Sequence, residues 1–175
     1  MRQACFELAR RRFADFLPYV KIVSSGVGLV PLELWNHIKE TVSDLEIHRL
    51  LEIAKSRQIG FTTIFSAYAL WHGMFIPSAL ALDISKGERD AHEFLDKSKA
   101  IWEILPPELQ VERGLPDNRE QMTFTNGGRI LALPSTEDAG RGLSPTLAIF
   151  DEADFHEYLE AAYNSVKPGL DDRGG

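Results

Sequence analysis

The sequence contains one cysteine, Cys5, so no disulfide can form within the chain. Low cysteine usage suits a reducing compartment such as the cytosol. No apolar run approaches the ~18 residues of a membrane-spanning helix, and the start of the chain lacks the uninterrupted apolar stretch of a signal peptide. The net charge of −7 argues against a protein whose whole surface coats nucleic acid, while leaving room for a local basic strip.

The 175 residues are 44% hydrophobic and 26% charged, which predicts one globular domain with a sizeable core. Residues 1–30 are predicted to be a basic, amphipathic extension, with a helix that ends before Pro18 and then two short strands. Its Arg10, Arg11 and Arg12 predict a solvated basic face or, as the alternative, a contact with DNA or a partner. Residues 31–175 are predicted to form the main domain.

Hydrophobic periodicity in the main domain alternates between helices and strands. The predicted elements are helix 31–46, strand 50–54, helix 62–74, strand 79–84, helix 87–105, strands 121–125 and 129–133, strand 146–150 and helix 154–166, with a loop after 166. Asn126-Gly127-Gly128 is a hairpin signal. The pattern predicts an α/β fold with a largely parallel sheet and an antiparallel hairpin insert.

The segment 50–63 resembles a phosphate-binding loop in its layout of strand, loop with a late glycine and helix start with threonine. Its backbone N–H groups and helix N-terminus are expected to hold phosphate, and the Thr62 hydroxyl is placed to ligate Mg²⁺. The strict pattern G-x-x-x-x-G-K-[ST] fails twice, because Lys55 replaces the first glycine and Phe61 replaces the lysine. The predicted nucleotide-binding residues are Lys55, Ser56, Arg57, Gln58, Ile59, Gly60, Phe61, Thr62 and Thr63.

The second chemical signal is Asp151-Glu152, two acids that directly follow the apolar strand 146–150. Parallel strands place their carboxyl ends at one edge of the sheet, so these acids are expected to face the 55–62 loop across a cleft. Asp151 would ligate Mg²⁺ through oxygen, and Glu152 would orient the water that attacks ATP. The competing interpretation is an ordinary solvated strand end.

Two cations are candidates for the phosphate role. Lys55 and Arg57 lie in or beside the loop, and either could reach the β- and γ-phosphates in place of the missing lysine. Lys86 follows another strand and is expected to lie in a separate loop, where it serves as a comparison lysine. Arg141 lies in the loop before strand 146–150 and is either a surface residue or an arginine finger that stabilises the transferring phosphoryl group.

Several motifs together resemble the large subunit of phage terminases, the ATP-driven DNA-packaging motor. KSRQIGFT is similar to that family's Walker A motif with a displaced lysine, and LAIFDEADF is similar to its Walker B motif with the catalytic glutamate. FTNGGRILALPS, GRGLSP and the segment LDISKGERDAHEFLDKSKAIWEILP are similar to the segments between them. The resemblance covers roughly residues 30–175.

The resemblance implies a RecA-like ASCE P-loop ATPase that uses ATP and Mg²⁺ and works as a homo-oligomeric ring in the cytoplasm of the bacterial host. It implies double-stranded DNA, the small terminase subunit and the portal protein as partners, and Arg141 as the finger. The family's adenine-contacting glutamine has no counterpart at residues 34–38. The family's coupling motif and nuclease domain are also not found in these 175 residues, so we expect an N-terminal fragment of the motor subunit.

Two alternatives remain open at this stage. One is a P-loop-like remnant that folds without hydrolysing ATP, which Phe61 and the missing glutamine favour. The other is a DEAD-type helicase, because residues 151–154 spell Asp-Glu-Ala-Asp. Such helicases use an ordinary G-K-T loop, which this sequence lacks.

Overall fold

The computed structural model describes residues 2–24, 26–54 and 60–173 of the chain. Its helices are α1 (Arg2–Arg11), α2 (Phe13–Phe16), α3 (Asn36–Ile47), α4 (Phe61–Phe75), α5 (Glu88–Ile104) and α6 (Leu159–Arg173). Its strands are β1 (Lys21–Ser24), β2 (Gly28–Pro31), β3 (Leu80–Ser85), β4 (Gln121–Thr123), β5 (Arg129–Pro134) and β6 (Leu147–Phe150). None of the described helices is long and apolar enough to cross a membrane.

The main sheet has four strands in the order β4-β5-β3-β6. β3 pairs in parallel with both β5 and β6, whereas β4 pairs antiparallel with β5. The α/β class and the hairpin insert are therefore confirmed, and the sheet is mixed. All six residues of β3 are buried, as expected for a central parallel strand covered on both faces.

Alternation along β3 divides the core between the two faces of the sheet. Ala81 belongs to the larger cluster, which contains the inward faces of α4 and α5. Leu82 and Ile84 belong to a smaller cluster with Ala162 and Val166 of α6. The sheet is thus a middle layer between α4 and α5 on one side and α6 on the other.

The predicted strand 50–54 is wrong, because residues 51–54 are not assigned to any strand or helix. A strand needs ladder hydrogen bonds with a neighbour. Within the described residues, β6 pairs only with β3 and offers this segment no bonded partner. Ile53 still packs against the larger core cluster, so its apolar character serves packing without forming a strand.

The beginning of the chain also departs from prediction. The first helix stops at Arg11, because Arg12 is extended with φ −134° and ψ 131°. Because the helix is interrupted here, Phe13 and Phe16 of α2 pack into the core cluster that also contains residues of α4. Residues predicted to be an extension therefore pack with the main domain.

Two of the clustered arginines make contacts within the chain. Arg10 Nη2 donates to the Glu108 carbonyl at 2.6 Å, and Arg12 Nη2 donates to Glu46 Oε2 at 3.0 Å. The basic face is therefore partly engaged in holding the N-terminal helices to α3 and to the segment after α5. Its proposed contact with DNA or a partner stays a prediction.

The last helix is the other correction. It was predicted over 154–166 with a loop beyond, but α6 begins at Leu159 and continues through Pro168 to Arg173. Residues Ala153–Phe155 instead form a short 3₁₀ turn. Pro168 has no N–H to donate to the helix ladder, but packing continues beyond it. Leu170 packs against the smaller core cluster, and a Cβ at Gly169 would lie 2.8 Å from the Ser144 Cα.

Candidate functional site

The site is built where α4 begins and β6 ends. Gly60 precedes the helix with φ +84°, a left-handed conformation that glycine adopts without a steric penalty. Among the residues that the structure describes, no heavy atom lies within 4 Å of where its Cβ would be. Glycine is therefore favoured at position 60 because of its backbone conformation and not because of a lack of space.

The Thr62 hydroxyl donates a hydrogen bond to Asp151 Oδ2 at 2.7 Å. The two residues are 89 positions apart in the chain, and the fold brings them together at the carboxyl end of β6. Asp151 is 8% exposed, so its carboxylate is largely shielded from solvent. This contact joins the predicted end of the phosphate loop to the predicted metal-binding acid.

A threonine oxygen beside a carboxylate is a chemically suitable pair for Mg²⁺, which prefers hard oxygen ligands. The oxygen atoms of these two side chains therefore fit Mg²⁺. Thr62 and Asp151 are the residues that would hold it.

The Asp151 main chain is fixed by a second contact. His156 Nε2 donates to the Asp151 carbonyl at 2.8 Å, which closes the 3₁₀ turn over the strand end. The His156 side chain is buried. His156 therefore has a structural role at the end of β6.

Glu152 lies in different surroundings from its neighbour. It adopts the left-handed conformation with φ 56° and ψ 42°. Its Oε2 accepts a hydrogen bond from Lys86 Nζ at 2.6 Å, and its side chain is 29% exposed. The two adjacent acids therefore have different partners, a helix hydroxyl for Asp151 and a lysine for Glu152.

Lys86 was expected to lie in a separate loop away from the site, and this expectation is wrong. β3 and β6 run parallel and end together, so the residue after β3 meets the residues after β6. The hydrogen bond from Lys86 to Glu152 is the main reason that the pKa of Lys86 is raised. The sequence contains a signal for this position, because Lys86 lies two residues after the predicted parallel strand 79–84.

A buried acid near the site was also missed. Asp83 on β3 is 1% exposed, and its Oδ2 accepts a hydrogen bond from Ser85 Oγ at 2.7 Å. Burial raises the pKa of Asp83 well above its usual value, and the charge of Asp151 raises it further. Asp83 pairs in register with Ile149, two residues before Asp151, so the alternation of side chains puts both acids on the α4 face.

Phe61 occupies the position of the usual Walker A lysine, and its side chain is a core residue. It is 4% exposed, and its ring centroid lies 5.8 Å from those of His37 and Phe65. Burial of such a ring stabilises the fold by about 2–3 kcal/mol. Any contact between Phe61 and a bound phosphate would therefore come from its main chain.

The remaining predicted loop residues, Lys55, Ser56, Arg57, Gln58 and Ile59, lie outside the described residues. Their roles stay predictions, as does the choice between Lys55 and Arg57. Thr63 is half-buried in the first turn of α4.

Arg141 is 72% exposed, and its Nη1 lies 2.6 Å from Asp138 Oδ1. Its neighbour Gly142 lines an open cleft together with Ser78 and Leu80, at the amino end of β3. The structure therefore does not bring Arg141 together with Asp151 and Glu152 at the carboxyl edge. A finger role would have to be exerted on another copy of the chain, and it stays a prediction.

Taken together, the layout of α4, β3 and β6 defines an α/β domain with a helix N-terminus and two acids at one edge of the sheet. A family model described as "Terminase large subunit, T4likevirus-type, N-terminal" matches residues 53–166. The match spans more than half of the chain, from just before the predicted phosphate loop to the middle of α6. The chain belongs to this family, and the resemblance seen in its motifs is confirmed.

Family membership indicates a role in DNA packaging. A terminase large subunit belongs to the machinery that packages phage DNA, so DNA and packaging proteins are the general class of partner.

Proposed function

We propose that this chain is the ATP-hydrolysing motor domain of a viral DNA-packaging terminase, with a RecA-like P-loop fold. The observation that carries the proposal is the 2.7 Å hydrogen bond between Thr62 and Asp151. It pairs the last residue of the loop-like motif with the first acid after β6, as a site for ATP and Mg²⁺ requires. Family membership supports the packaging role.

In this proposal the segment 55–63 wraps the phosphates, and Lys55 or Arg57 supplies the cation that Phe61 does not. The helix N-terminus adds backbone N–H groups and a favourable dipole. Thr62 and Asp151 would hold Mg²⁺, which when bound offsets phosphate charge. Glu152 would accept a hydrogen bond from a water molecule and align it with the γ-phosphate.

The motor would act on double-stranded DNA as a homo-oligomeric ring, together with the small terminase subunit and the portal protein. Arg141 is the candidate for a finger that reaches the site of a neighbouring copy. Its exposure and its distance from its own carboxyl edge suit an action in trans.

The second candidate function is a P-loop-like domain that folds but does not hydrolyse ATP. The burial of Phe61 favours it, because the side chain at the usual lysine position is committed to the core. The two candidates differ in one measurable property, which is turnover.

The test is release of phosphate from ATP by the purified chain, with and without double-stranded DNA. We expect Mg²⁺-dependent turnover, and a fall in kcat of at least about 100-fold in Glu152→Gln, since a positioned acid–base group typically contributes that much. Glu157→Gln is the matched control, because Glu157 is exposed in the same segment. Binding of ATP without turnover would favour the non-hydrolysing domain.

A further inference from the structure

Three charged side chains meet beside the proposed site. Lys86 Nζ lies 2.6 Å from Glu152 Oε2 and 3.6 Å from Asp90 Oδ1. They come from the residue after β3, the first turn of α5 and the residue pair after β6. Nothing in the proposed phosphate chemistry uses Lys86, so its position needs its own explanation.

Glu152 is constrained at its main chain and at its tip. Its left-handed backbone is costly for a residue with a side chain, and the turn that follows holds it, with Phe155 N donating to the Glu152 carbonyl at 2.9 Å. The contact with Lys86 fixes the carboxylate at the other end. A glutamate held at both ends samples few of the rotamers open to a solvated one.

We propose that Lys86 is a positioning residue that orients the Glu152 carboxylate toward the attacking water, an inference that rests on the proposed function. Lys86 occupies Oε2, and Oε1 then receives the hydrogen bond from water. A carboxylate fixed in one orientation meets the reacting geometry more often than a freely rotating one.

The alternative for Lys86 is direct contact with phosphate. The surroundings argue against it, because the ammonium group already has two carboxylate partners, Glu152 and Asp90. Three such groups carry a net negative charge, which does not attract a phosphate. Lys86 therefore acts through Glu152, and its loss changes turnover without changing ATP affinity.

The test compares kcat and KM for ATP in the full chain and its variants. We expect Lys86→Ala to lower kcat about tenfold with KM unchanged, and Lys86→Arg to recover most of the rate because it keeps the cation. Lys97→Ala is the matched control, since Lys97 Nζ makes an equally short 2.6 Å contact with Glu93 Oε1 elsewhere on α5. In a Glu152→Gln background, Lys86→Ala should cost little more, because it acts through the same carboxylate.

Three results would overturn the positioning role while leaving the ATPase intact. They are an unchanged kcat in Lys86→Ala, a raised kcat, or a rise in KM with kcat preserved, the last of which would make Lys86 a phosphate ligand. Absence of turnover in the unchanged protein is a different failure. It would overturn the proposed function and this inference with it.

Discussion

Helix α4 is tied to the β6 segment at both ends by hydrogen bonds of almost equal length. At its amino end, Thr62 Oγ1 donates to Asp151 Oδ2 at 2.7 Å. At its carboxyl end, His72 Nε2 and Thr146 Oγ1 share a hydrogen bond of 2.8 Å. Both pairs join buried or half-buried polar side chains across the same helix–sheet interface.

The two ends differ in what surrounds each bond. The amino end follows Gly60 and lies beside Asp151 and its neighbour Glu152. The carboxyl end meets the Thr146 hydroxyl, which also bonds the main chain of Leu80 at 3.1 and 3.2 Å. Burial lowers the pKa of His72 to about 4, so this end is held by a neutral imidazole. Under the proposed function, equal geometry would serve ligand binding at the amino end and packing at the carboxyl end. The position of the amino end at the carboxyl edge of the sheet is what distinguishes the two.

The largest effect that would separate the two ends concerns Lys55, which precedes α4 in the sequence and is the predicted phosphate-binding cation. We expect Lys55→Ala to weaken ATP binding about 10- to 100-fold, because a lost hydrogen bond to a charged group costs about 1.5–3 kcal/mol. Isothermal titration calorimetry with ATP and Mg²⁺ measures this directly.

Lys97→Ala is the control for that titration, in place of Lys86, which the structure brings to the site. Equal affinities for Lys55→Ala and Lys97→Ala would remove Lys55 from the phosphate site. The cation role would then pass to Arg57.

A smaller effect is expected at the carboxyl end, where His72 couples stability to pH. The pKa of His72 is about 4 in the folded protein and about 6.5 when solvated, so the unfolded chain binds a proton that the folded chain excludes. The free energy of unfolding should therefore fall as the pH drops from about 6.5 to about 4, by up to about 3 kcal/mol. Above pH 6.5 this contribution is fully present.

Urea unfolding at a series of pH values checks this prediction. His72→Gln should flatten the pH dependence across that window and leave ATP affinity near its original value. His92→Gln is the matched control, because His92 lies half-buried on α5. An identical pH profile for wild type and His72→Gln would show that burial does not hold the His72 imidazole neutral at the carboxyl end of α4.

Much of the fold could be predicted because the local sequence of most elements, through its hydrophobic pattern or its turn residues, indicates their structure. The apolar stretch of β3, the nearly all-apolar α4 and the Asn126-Gly127-Gly128 turn each indicate a structure locally. The predictions that were wrong concern segments whose structure depends on contacts with another part of the chain. Residues 51–54 have the pattern of a strand but no bonded neighbour strand among the described residues. Helix α6 continues past Pro168, where Leu170 packs against the smaller core cluster.

The residues of the candidate site also divide into those that local sequence predicts and those that depend on neighbouring elements. Thr62, Asp151 and Glu152 could be predicted because they stand at recognisable ends of elements. Lys86 and Asp83 were missed because their importance depends on β3 lying beside β6, which strand order determines and local sequence does not. A lysine or an aspartate near a strand end becomes a candidate only when its neighbour strand is known.

A calorimetric titration with ATP, in the presence and absence of Mg²⁺, tests whether Thr62 and Asp151 form a Mg²⁺–ATP site. It compares wild type, Asp151→Asn and the exposed control Asp154→Asn. We expect wild type and Asp154→Asn to bind ATP more tightly with Mg²⁺ than without it. We expect Asp151→Asn to lose this difference while remaining folded. Absence of ATP binding by wild type, or an equal Mg²⁺ dependence in Asp151→Asn, would contradict the proposed Mg²⁺–ATP site.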